Sequence, residues 1–259
     1  MARYEVFVPA APPAQAADLV LQVDGDHWLG ALKEGLARLG VKRVPANVLC
    51  DVHADGSIHV TDAETGRAFR IREAADAGGG KERPGAVGRA AAPSSAEDVL
   101  GDLFRRVGGA HKLPRRDALG FLLDLALEHT RCDAGTVFLA DPDAGELAFE
   151  AVRGPSAAKL ATLGLKVPIG TGIAGFSARE NVCVAVSDAA KDPRFHRAIS
   201  DAVGYETRSL LCAPIARQTK VLGVIEVLNK RGNEAFRPTD VAVVAYLAHQ
   251  AAEVIERKG

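Results

Sequence analysis

Between Val221 and Asp240 the chain reads VLGVIEVLNKRGNEAFRPTD, an apolar run that stops at Asn229 and Lys230, crosses a polar loop and resumes at Phe236, Pro238 and Asp240. Adjacent β-branched residues such as Val224 and Ile225 suit a strand covered on both faces better than one half in water. Pro238 suits the first turn of a helix, where its missing N–H is not needed. The spacing therefore predicts a buried central strand, a turn and a helix start. It also sets the Lys230 ammonium at the strand end against the Asp240 carboxylate at the favourable end of the helix dipole. We expect that pair to clamp strand to helix.

Asn229-Lys230, Phe236 and Asp240 resemble the Asn-Lys, Phe, Asp-Glu signature of cyclic-nucleotide-type GAF domains, with Val241 where the family carries its Glu. The stretches IGTGIAGFSAREN (Ile169 to Asn181), DPRF (Asp192 to Phe195) and GYETRSLLCAPI (Gly204 to Ile215) are similar to GAF segments and fall in family order. The resemblance covers residues 97 to 258. It implies an α+β GAF fold, an antiparallel sheet with helices packed on it, and a ligand held between the sheet and a lid helix. The ligand so implied is a cyclic nucleotide. By the same resemblance Thr136, Ile173, Ala174, Phe195, Ser200, Val203, Thr207 and Glu226 are its binding residues, while Asn229, Lys230, Phe236 and Asp240 form the structural clamp. Ser200 and Val203 stand where strong cyclic-GMP binders have an acid and a Thr.

Each contact has a plainer alternative. Thr207 also reads as a turn residue, and Glu226 as an outward-facing sheet carboxylate. Yet a carboxylate inside VLGVIEVL is costly unless hydrogen-bonded. A ligand amide, water or Arg208 is expected to meet it. Gly170, Gly172 and Gly175 form GxGxxG, with Asp188 downstream, which imitates a dinucleotide fingerprint. The preceding strand contains Pro168 and no series of βα repeats follows, so tight-turn glycines against a helix N-terminus are the better reading.

Residues 1 to 73 read as a separate small α+β unit, for which a docking role towards a protein partner is expected. Arg3 to Val8 and Leu19 to Val23 are candidate strands. Asp26 is the expected cap of a helix carrying Trp28, Leu29, Leu32, Leu36 and Leu39 at helical spacing, and Gly40 suits its stop. A three-strand meander follows. Turns at Ala54 to Gly56 and Ala63 to Gly66 put Cys50, Val60 and Phe69 in line on one face with Val52, Ile58 and Ile71, and Asp51, His59 and Arg70 in line on the other. His53 and His59 lack a third ligand, so no metal is expected.

In Ala74 to Ala96, 17 of 23 residues are Ala, Gly, Pro or Ser, with no aromatic and one Val, and the stretch reads as a flexible linker. Beyond it, residues 97 to 259 form the second domain. Ser95 and Asp98 make a capping-box-like start to a helix with Val99, Leu100, Leu103, Phe104 and Val107 on one stripe. Val241, Val244, Ala248, Ala251 and Ile255 recur with the 3-4 spacing of a helix seam. Both stripes suit a parallel homodimer through helices 97–107 and 239–256, with burial inside one chain as the alternative.

A net charge of −1 gives no pull towards nucleic acid or an acidic membrane. No apolar run approaches a membrane span and no signal-peptide pattern opens the chain, so a cytoplasmic location is expected. Four cysteines without metal spacing read as reduced, partly buried thiols. Cys212 lies inside an apolar strand, where a thiol is inert, and no nucleophile-base pair is evident; the chain is not expected to be an enzyme. Two function classes follow: a ligand-sensing regulatory protein, or a dimerisation scaffold with a vestigial pocket.

Overall fold

The computed structural model describes residues 1–10, 17–41, 44–53, 55–74 and 96–257. The first part holds β1 (Ala2–Val8), β2 (Leu19–Gly25), α1 (Trp28–Arg38), β3 (Asn47–Val52), β4 (Ile58–Asp62) and β5 (Ala68–Glu73). The second begins with α2 (Ala96–Val107), α3 (Arg115–Thr130), β6 (Cys132–Asp141), β7 (Glu146–Arg153), α4 (Ala157–Leu163) and β8 (Lys166–Pro168). It continues with α5 (Gly172–Glu180), β9 (Cys183–Val186), α6 (Ala198–Val203), β10 (Leu210–Arg217), β11 (Lys220–Lys230) and α7 (Pro238–Arg257).

The meander register follows from its turns. Cys50 pairs with Val60 and Val60 with Phe69, while Asp51, His59 and Arg70 line up as the polar row. Cys50, Val60, Phe69 and Ile71 are buried, as the dry face requires. The helix cap differs from expectation: His27, not Asp26, takes the position, its Nδ1 accepting from the Gly30 N–H at 3.3 Å. The His53 and His59 ring centres lie 3.8 Å apart with the planes tilted by 34°, and among the described residues no three metal-ligating side chains converge.

The first 73 residues share a sheet with the rest. Its order is β2-β1-β5-β4-β3-β9-β10-β11-β6-β7-β8, and β3 meets β9 in parallel, Asn47 to Cys50 against Cys183 to Val186. The other pairings along it are antiparallel. The edge of β9, which otherwise presents unpaired backbone groups, is thereby closed by the N-terminal unit.

β11 lies within this sheet and feeds two cores, which explains its unbroken apolar run. Ile225 and Val227 join the core under α3 and α7, and Val224 joins the opposite core with α1 and α5. Of the expected linker, residues 75–95 lie outside the described residues and Ala96 opens α2 instead; the side chains of Val99 and Leu100 also lie outside them.

The α7 seam faces inward, the alternative to a dimer contact. Val241, Val244, Ala248 and Ala251 are fully buried within the chain, where α7 packs on α3 and β10, and Leu103 and Val107 of α2 join the same core. Spacing alone does not distinguish a helix facing its own sheet from one facing a second subunit. Phe104 is left 61% exposed, its ring 4.9 Å from that of Tyr246.

Gly170 and Gly172 take positive φ, and a Cβ on Gly175 would lie 2.5 Å from the Pro168 carbonyl oxygen. β8 pairs antiparallel with β7, so these glycines turn a tight corner into α5 and no βαβ unit forms.

Candidate functional site

Cross-strand register builds a floor. Cys212, Glu226, Thr136 and Val152 stand side by side across β10, β11, β6 and β7. One row away, Val224 pairs with Phe138, whose ring lies 4.7 Å from that of Phe149. The roof comes from α4, the start of α5, and the segment from Phe195 through α6 to Thr207. Between floor and roof is a cavity of about 100 Å³. At ~10–15 Å³ for each water centre, that is room for several waters or a small molecule. Thr136, Ile173, Ala174, Phe195, Ser200, Val203, Thr207 and Glu226 all line it.

The polar points are few. The Ser200 and Thr207 hydroxyls are 3.0 Å apart and tie α6 to the loop before β10. Tyr205, which the sequence reading passed over, also lines the cavity, and its buried hydroxyl lies beside the Asn229 side chain. Burial raises the pKa of that phenol. Arg208 faces Asp133 at 3.9 Å instead of Glu226. The Glu226 carboxylate accepts from the Cys212 thiol at 3.4 Å, and its accessible surface is cavity wall. Burial pushes its pKa up to about 7.

This has a sign that can be tested. The folded chain holds the Glu226 proton more tightly than the unfolded chain, whose carboxyl has the ordinary value of 4.5. The group's stabilising effect is therefore complete below pH 4.5 and is lost as pH rises through 7. The penalty above neutrality reaches up to about 3 kcal/mol, reduced where cavity water solvates the carboxylate. Glu226→Gln should raise the urea midpoint at pH 8 and leave little difference at pH 4; an unchanged midpoint at both would refute the burial argument.

The clamp lies directly behind the floor. Asn229, in the left-handed region that Asn tolerates (φ 56°), accepts from the Arg208 N–H at 2.7 Å and donates to the Glu206 carbonyl at 2.7 Å. It thereby fixes the loop that carries Thr207. Lys230 pairs with Asp240, both side chains buried, and its ammonium sits 5.7 Å from the centre of the Phe236 ring. Asp240 also accepts the Arg237 N–H at 2.7 Å, capping α7.

The thiols are poor nucleophiles. Burial drives Cys50 and Cys183 to about 12 and Cys132 to about 11, and raises Cys212 well above the ordinary thiol value. All four are free and buried. Among the described residues no helix is long and apolar enough to cross a membrane.

Comparison with known proteins identifies the family. A family model described as GAF domain matches residues 115–255. Dual 3',5'-cyclic-AMP and -GMP phosphodiesterase 11 of Drosophila melanogaster is 41% identical over 80 residues, 30% of this chain and 6% of that protein. Dual 3',5'-cyclic-AMP and -GMP phosphodiesterase 11A of Takifugu rubripes is 38% identical over 82 residues, 31% of this chain and 9% of that protein. The match thus spans only a small part of these relatives. The GAF domain of a phosphoenolpyruvate-protein phosphotransferase from Coxiella burnetii aligns with a TM-score of 0.57 at 22% identity, covering 63% of this chain and 96% of that one. Free methionine-R-sulfoxide reductase from Neisseria meningitidis aligns with a TM-score of 0.53 at 18% identity, covering 65% and 94%. At these identities the two structures speak for the fold alone. With its antiparallel-dominated sheet, its covering helices and a family model that spans more than half of its length, the chain belongs to the GAF domain family.

Proposed function

We propose that this chain is a regulatory sensor whose GAF cavity takes a small ligand, with a cyclic nucleotide as first candidate, and that it does no chemistry of its own. The observation that carries the reading is the cavity, floored by an under-satisfied carboxyl and roofed by short segments. The likeness to cyclic-nucleotide phosphodiesterases supports the choice of ligand. Volume supplies the constraint. About 100 Å³ is well below the ~300–1,000 Å³ usual for ligand pockets, so a nucleotide enters only if the roof moves.

The output route in this reading runs through the roof to the N-terminal unit and from there to a protein partner. Phe195 lines the cavity, while its neighbour Arg194 lies over the Trp28 ring at 5.1 Å. α5 has the same two faces: Ile173 and Ala174 on the cavity, Phe176 stacked 5.9 Å from Trp28, and Glu180 bonded to Lys33 at 3.0 Å. The reading includes a homodimer through the outward faces of α2 and α7 around Phe104, for which light scattering should give twice the chain mass and a monomer mass would remove it.

The small cavity also favours a second reading, a scaffold whose pocket stays closed. Native mass spectrometry with cyclic AMP and cyclic GMP separates the two. The sensor retains one nucleotide per chain; retention of neither favours the scaffold.

A further inference from the structure

A second cleft, of about 330 Å³, opens at the seam between the N-terminal unit and the GAF domain. Tyr4, Trp28 and Ile71 line it from one side, and Phe176, Arg179 and Arg194 from the other. It is roomier than the cavity below the roof, and ligand sites favour such junctions between units. Its walls are aromatic and aliphatic, with the Arg179 and Arg194 guanidinium groups, the Glu73 carboxylate and the His27 imidazole as polar points.

Two donors here are buried without an oxygen or nitrogen acceptor. They are the indole N–H of Trp28 and Nη1 of Arg194, whose Nε and Nη2 are taken by Asp192 at 2.9 and 2.5 Å and whose guanidinium lies beside the Cys50 thiol. Trp28 itself is 4% exposed. Arg179 gives its Nε to Glu180 at 3.1 Å and is 47% exposed at its side chain. Buried donors left unpaired cost on the order of 1–3 kcal/mol each, and native structures rarely tolerate two together without water, an ion or a ligand. Guanidinium groups match carboxylates in planar, two-point geometry.

We propose that this cleft is a second binding site, for a small planar ring carrying a carboxylate, with the ring among Tyr4, Trp28 and Ile71 and the carboxylate at Arg179 and Arg194. It is separate from the cavity under α6, although Gly172 borders both. A chain that binds no nucleotide retains this site.

Trp28 is the only tryptophan, so 5-fluorotryptophan labelling of the full chain gives one fluorine resonance within the cleft. Titration with benzoate should shift it saturably, benzylamine should not, and Arg179→Ala should raise the benzoate midpoint by roughly tenfold, the loss of one charge-assisted contact. Ala174→Phe, which fills the other cavity, should leave the midpoint unchanged. No saturable benzoate shift overturns the proposal. So does an equal response to benzylamine, or a response abolished by Ala174→Phe and indifferent to Arg179→Ala.

Discussion

Asp240→Ala is expected to lower stability by about 3–5 kcal/mol, because it strands the Lys230 ammonium in the core without its counter-charge. Lys230 is 1% exposed and Asp240 3%, so water does not compensate. The carboxylate also caps α7 through the Arg237 N–H, and its removal frees the helix start that packs on β10. A domain stabilised by ~5–15 kcal/mol would lose a large share of its margin. Replacing both partners, Lys230→Met with Asp240→Leu, should cost much less than Asp240→Ala, since no orphan charge remains. Urea unfolding of the three proteins checks the order; equal losses for the single and double variants would contradict it.

Arg194→Ala should be the next most damaging change, by about 3 kcal/mol, for a related reason. It leaves the Asp192 side chain, which is wholly buried, without its bidentate partner. It also removes a guanidinium lying 5.1 Å from the Trp28 ring and 4.7 Å from the Phe176 ring. Those rings belong to the N-terminal unit and the GAF domain respectively, so the loss should loosen the joint as well as the fold. Tryptophan emission should shift to the red in the folded variant, because Trp28 gains water. A variant that unfolds at the wild-type urea concentration with unchanged emission would remove Arg194 from this role.

Much of this arrangement was legible in the chain because it is encoded locally. Turn lengths at Gly56 and Gly66 dictate which meander residues face together, and a period of two does the rest. The short stretch from Asn229 to Asp240 specifies strand, turn and capped helix, and with them the Lys230 contact. The eight expected binding positions came from family order, and the fold brings them to one cavity. What escaped depends on contacts distant in sequence. No local pattern announces that β3 pairs with β9, because both are ordinary short apolar strands and their partnership is settled by global packing. The Cys212 thiol beside Glu226 becomes visible only once β10 and β11 are set in register. Arg194 read as part of a family motif, but its neighbours Trp28 and Cys50 lie far away in the chain and give no sign of it. The α7 seam misled because a helix buries its 3-4 stripe in the same way against its own sheet as against a twin.

The central claim is that the space between the Thr136–Glu226 floor and the Phe195–Thr207 roof receives a guest. Amide hydrogen exchange of the whole chain, with and without saturating cyclic AMP or cyclic GMP, tests it most directly. One nucleotide should slow exchange across residues 195–207 by roughly tenfold or more, with α2 unaffected. Exchange in the roof that is identical with and without both nucleotides would contradict it.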